Sequence, residues 1–107
     1  MDYRPDGWFL IQITTPTEKF YKIFGSWNGG YLDGDEWRMN SGVVKCEYSD
    51  GYYKFHGNSG SVYICHEDNY GRVTAYNGNV MQNYIENSNG MVQAIPFLPD
   101  NLVNYDW

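Results

Sequence analysis

The chain is short of cysteine, of basic residues and of long apolar runs, and each shortage excludes something. Two cysteines, Cys46 and Cys65, in 107 residues do not make the disulfide framework of a small secreted scaffold. Both fall in stretches that read as strands, where a thiol serves as a small buried hydrophobe. Seven Lys and Arg stand against thirteen Asp and Glu, for a net charge of −6. That balance lacks the basic footprint of a nucleic-acid binder, so no direct nucleic-acid contact is expected. A charged partner, if there is one, should be basic. The longest apolar run, Trp8 to Ile11, is far short of a membrane span. No cationic start leads into an apolar stretch, so no signal peptide is expected and a cytoplasmic protein is. The glycines at 25, 29 and 30 match neither phosphate-cradling pattern, and no cofactor is expected.

What the chain has in abundance is aromatic rings: 11 Tyr, 5 Phe and 4 Trp. Aromatics bury large areas each and can build a core that is poor in Leu and Ala. Twenty exceed the needs of one small core, so some should reach the surface, where rings make binding patches.

Val43 to Gly57 reads as a β-hairpin. Asp50-Gly51 is a two-residue turn signal, because both central positions of the favoured turn need positive φ. With those residues as the loop, Ser49 pairs with Tyr52, Tyr48 with Tyr53, Glu47 with Lys54, Cys46 with Phe55 and Lys45 with His56. One face then carries Val44, Cys46, Tyr48, Tyr53 and Phe55, and is dry. The other carries Lys45, Glu47, Lys54 and His56, and is wet.

Trp8 to Thr15 and Lys19 to Trp27 read as a second hairpin around Pro16-Thr17-Glu18. A three-residue loop pairs Ile13 with Tyr21, Ile11 with Ile23 and Leu10 with Phe24. Both faces are largely apolar, which predicts a place at the sheet centre, covered on both sides. Ser61 to His66 is a further strand. Asn79 to Asn87 is the helix candidate, with Asn77 or Asn79 as cap, a Val80, Met81, Tyr84, Ile85 stripe and Gly90 as the stop. Met91 to Phe97 is a final strand, at an edge because Pro96 cannot donate to a ladder. The tail 99–107 carries Leu102, Val103, Tyr105 and Trp107 and is expected to pack back. The expected fold is a single α+β domain over 1–107: a mostly antiparallel, curved sheet of five to six strands with one covering helix.

Trp27 to Gly42 lacks a clean period. It reads as a long structured loop with a short extended piece at Glu36 to Met39. Loops this long in small domains are commonly functional. Trp27, Tyr31, Asp33, Asp35, Glu36 and Trp37 combine rings with negative charge there, and Glu67 and Asp68 add a second acidic loop. These eight residues are the candidate partner-binding set. The competing expectation is that both tryptophans fold inward and pin the loop.

Catalytic and metal constellations are weak. Cys46, His56, Cys65 and His66 are a zinc-like set, but the spacing is wrong, and neighbouring or alternating strand positions point apart. A Cys–His dyad would need an exposed thiol and has no local signature. Asp33-Gly34-Asp35 opens like a calcium loop, but Val44 stands where the closing Glu belongs.

Lys22 to Val44 and Tyr53 to Tyr63 resemble small uncharacterised accessory proteins of tailed bacteriophages. The resemblance covers about the middle half of the chain. It implies a small non-catalytic protein that binds and blocks a host defence or nucleic-acid-processing protein, in the manner of anti-CRISPR inhibitors. No functional residue carries over, because that class shares no motif. The expectation is therefore an inhibitor acting through an acidic aromatic surface on a host protein with a basic surface. The alternatives are a carbohydrate-binding β-domain and a small cysteine/histidine enzyme.

Overall fold

Two hairpins with apolar faces cannot all be covered by one sheet and one helix. In the computed structural model, which describes residues 1–29 and 34–107, the strands accordingly divide into two four-stranded sheets. The fold is α+β and mostly antiparallel, but a single curved sheet of five to six strands is not what forms. The strands are β1 (Asp2–Tyr3), β2 (Gly7–Thr14), β3 (Lys19–Trp27), β4 (Glu36–Met39), β5 (Val43–Ser49), β6 (Tyr52–Gly57), β7 (Val62–His66) and β8 (Val92–Ala94), with helix α1 (Ala75–Glu86) before β8. One sheet runs β1-β7-β6-β5 and the other β4-β3-β2-β8. The β1–β7 pairing is parallel; the other strand pairings are antiparallel.

The β5–β6 hairpin has the expected register at every pair from Ser49↔Tyr52 to Lys45↔His56. Asp50 and Gly51 both take positive φ, as the turn requires. The face assignment fails at its open end. A bulge between Val43 and Lys45 turns Val43 inward and leaves Val44 exposed. Tyr48 is also exposed, because it lies past the edge of the core.

The β2–β3 register differs by one residue from the expected one: Ile13 pairs with Phe20, Leu10 with Ile23 and Phe9 with Phe24. The loop has four residues. Thr15 closes it, its N–H donating to the Glu18 carbonyl and its Oγ accepting from the Glu18 N–H. Paired residues share a face, so the two apolar faces survive the slip. Trp8, Leu10 and Ile23 meet Cys46, Phe55, Tyr63 and Cys65 of the other sheet in the larger core. Ile11, Ile13 and Phe24 meet Met81 of α1 and Val92 of β8 in the smaller one. The hairpin is thus central and covered on both sides, in a sheet–sheet–helix stack.

Close approach between layers constrains Gly7, where a Cβ would stand 1.8 Å from the Arg72 carbonyl oxygen. The helix starts earlier than the stripe suggested. Thr74 is the cap, its hydroxyl accepting from the Asn77 N–H, so Asn77 lies inside the first turn. Asn77 is fully buried and donates to Ser26 Oγ and to the Glu36 carbonyl, both at 2.9 Å. Met81 is the buried apolar contact; Tyr84 is exposed. The last strand is shorter than Met91 to Phe97 and lies at the sheet edge. Beyond it, Leu102 is buried in the larger core, and Tyr105 and Trp107 pack on Tyr21. Among the described residues, no helix is long and apolar enough to cross a membrane.

Candidate functional site

The candidate residues fall into two groups that the structure treats differently. Tyr31 and Asp33 lie outside the described residues. Of the first group, Trp27 ends β3 and Glu36 and Trp37 begin β4, with Trp27 paired to Glu36 and Ser26 to Trp37. Adjacent strand positions point to opposite faces, so the two indoles do not form one ribbon. Trp27 turns toward the first sheet. Its Nε1–H donates to the Arg4 carbonyl at 3.0 Å and its ring meets Tyr3 edge-on. Trp37 turns to the helix side and stacks flat on Phe24, at 5.6 Å between centroids and 7° between planes. It stays 40% exposed.

The acids of this group have local partners. Glu36 pairs with Arg38 Nε at 3.2 Å, and Asp35 accepts from the Gly29 N–H at 3.3 Å. The Arg38 guanidinium lies over the Tyr3 ring, 5.1 Å from its centroid. Ring and acid are both present, but the rings are pinned and Glu36 is compensated.

The second group is the tip of the β5–β6 hairpin. Glu67 and Asp68 form a 3-10 turn (Glu67–Asn69) directly after β7. The Glu67 N–H donates to the Gly51 carbonyl at 2.9 Å, which ties this acidic turn to the hairpin tip. The Tyr48 hydroxyl donates to Glu67 Oε2 at 3.0 Å. Tyr48 rests against Tyr53, and Tyr52 meets His66 edge-on at 4.8 Å. Tyr48 and Tyr52 are 45% and 40% exposed. His66 Nδ1 accepts from the Asp68 N–H, which fixes the ring.

The field at the tip is negative. The hydrogen bond to the Glu67 carboxylate, then partial burial, pushes the Tyr48 phenol above its ordinary value, and Asp68 adds to it. Burial, then Glu67, raises Tyr53, with Asp100 contributing. A hydrogen bond to the Gly51 backbone offsets part of the rise at Tyr48. From sequence, Tyr48 and Tyr53 belong to the dry hairpin face and Tyr52 is only the partner of Ser49. The long-range tie between Gly51 and Glu67 has no local sequence signal.

The cysteines and histidines do not converge. Cys46 and Cys65 are buried in the larger core. Burial pushes the Cys46 thiol up to about 12, with Glu47 adding to it, and burial raises Cys65 well above its ordinary value. Both thiols therefore stay protonated at neutral pH. His56 lies on the outer face against Glu47, whose carboxyl it holds below the usual range by hydrogen bonding, with help from Lys45. Among the described residues, no three His, Cys, Asp or Glu side chains group as metal ligands.

No family model, no curated protein and no solved structure matches this chain.

Proposed function

We propose that this chain is a non-catalytic protein-binding inhibitor of the phage type, blocking a basic surface on a host defence or nucleic-acid-processing protein. One observation carries the reading: two exposed tyrosines, Tyr48 and Tyr52, stand at a turn braced by Glu67 and bordered by Asp68. Tyrosine offers a large, stiff contact area with a polar tip, and interfaces favour it. Negative charge around it steers a basic partner and competes with phosphates for the same surface. The buried, protonated thiols support the non-catalytic part. The phage and anti-defence setting rests on the sequence resemblance alone.

The test is affinity capture from bacterial lysate with the full chain and a Tyr48→Ala/Glu67→Lys variant. The reading expects a protein held by the parent and lost by the variant, with an on-rate that falls as salt rises. A partner held equally by both would remove the tip from the interface. Exposed rings beside carboxylates also suit a sugar. Saturable binding on a glycan array, abolished by Tyr52→Ala, would put a carbohydrate in place of the protein.

A further inference from the structure

The opposite end of the same hairpin carries the reverse chemistry. A cleft of about 470 Å³ opens between β3, β4 and the segments that lead into β5 and out of β6, with Tyr3 and Tyr63 at its wall. It is lined by Lys22 and Arg38, two of the seven basic residues of the chain. Ser41, Ser59, Ser61 and the buried Tyr63 also line it. No Asp or Glu lines it among the described residues; Glu36 pairs with Nε of Arg38. The Ser41 oxygen already accepts from the Ser59 N–H at 3.0 Å, which leaves its own proton to donate.

Asn40, 4% exposed, stands in the cleft wall. Its Oδ1 accepts from the Ile23 N–H at 2.9 Å, so its amide orientation is set and Nδ2 is the remaining donor. That Nδ2 is buried with no partner. Leaving a buried N–H unpaired is costly, and sites that carry one commonly receive an acceptor from outside the chain. The space beside it is kept open by Gly57. A Cβ there would stand 3.6 Å from Asn40 Nδ2 and 3.0 Å from Ser61 Oγ.

A forked cation bonded to Glu36 only through Nε, an ammonium, hydroxyls and an orphan amide N–H line the cleft with no carboxylate among its lining residues. We propose that this cleft binds the phosphate group of a small molecule, with Arg38 and Lys22 supplying charge and Ser41, Ser61 and Asn40 supplying neutral donors. Arg38 is suited to the part, because a guanidinium meets a phosphate with two parallel hydrogen bonds. The guanidinium lies over the Tyr3 ring, 5.1 Å from its centroid. The volume exceeds what a bare phosphate needs and leaves room for the group that carries it.

The experiment is an amide-resolved NMR titration of the full chain with inorganic phosphate, with a nucleoside monophosphate and with chloride at matched ionic strength. Saturable shifts at Arg38, Asn40, Ser41 and Ser59 to Ser61 with phosphate but not chloride are expected. Tighter binding of the monophosphate would identify an esterified ligand, and equal binding would identify free phosphate. Arg38→Ala should weaken binding about tenfold or more. Ser61→Ala, a smaller change, should weaken it severalfold and serves if Arg38→Ala disturbs the fold. Lys54→Ala, on the outer face of the same hairpin, should leave it unchanged. Shifts spread evenly over Lys19, Lys45 and Lys54, or an Arg38→Ala protein that binds as well as the parent, would overturn the assignment. The tip tyrosines play no part in this test, so its outcome is separate from that of the protein-binding reading.

Discussion

The glycine-rich segment and the hairpin tip have nearly the same composition, rings mixed with acids, yet their surroundings give them different work. In the segment, Trp27 is tied to the Arg4 carbonyl, Trp37 lies flat on Phe24, and Glu36 is matched by Arg38. At the tip, Tyr48 and Tyr52 stay exposed and Glu67 raises the phenols of Tyr48 and Tyr53. An aromatic side chain with a bonded partner in the core is a fastening. The same side chain past the edge of the core, beside unmatched carboxylates, is a surface for another molecule.

Alkali should produce the largest effect and should separate the two kinds of ring. Burial, then the neighbouring Tyr3, pushes the Tyr63 phenol up to about 12, against 10.0 in an unfolded chain. A group that holds its proton more tightly when folded stabilises the fold at lower pH. That contribution is lost as pH climbs through the interval from about 10 to about 12. Cys46 acts in the same direction from 9.0 upward. Denaturant unfolding followed across this range should show stability falling steadily. Ultraviolet titration should show Tyr48 ionising before the fold is lost and Tyr63 only with it. A flat stability profile above pH 9.0 would contradict the burial of these groups.

Truncation sharpens the contrast. Trp27→Ala should cost about 2 kcal/mol, less than a fully buried aromatic because the ring is only half-buried. Calorimetric melting measures it; a loss under about 0.5 kcal/mol would mean that the indole is not a fastening. Gly51→Ala comes next, at about 1 kcal/mol, since φ is +85 and a Cβ would stand 3.3 Å from His66 Nε2. Trp37→Ala should also cost about 1 kcal/mol through the lost stack on Phe24. The smallest change is Tyr48→Phe. It should leave the melting temperature where it is while lowering affinity for the captured partner. A drop in melting temperature comparable with that of Trp27→Ala would erase the distinction between the regions.

The register of the hairpin around Asp50-Gly51 was legible from Ser49 to Lys45, because a two-residue turn leaves one register; the bulge that exposes Val44 and the exposure of Tyr48 were not. The extended piece Glu36 to Met39 forms as expected, as β4 paired to β3. The register around Pro16 was not. Thr15 closes a four-residue loop through its own side chain, and nothing in the local pattern weighs that bond against a three-residue loop. The helix start was hidden by the second role of Asn77. A polar residue suggests a cap, but here it is buried to hold Ser26 and the Glu36 carbonyl. The candidate set was legible in type and not in grouping. Glu67 and Asp68 were named, but the tyrosines beside them come from a strand whose tip the acidic turn meets.

Sequence alone determined the β-rich character, the acidic balance, the turn at Asp50-Gly51 and the double-sided apolarity of β2 and β3, since these follow from composition and period two. Tertiary structure decided that the strands form two sheets, because three apolar hairpin faces need more cover than one helix provides. It also decided which rings are anchors and which are open. Exposure depends on what lies opposite a side chain across the fold, and no local pattern of residues carries that information.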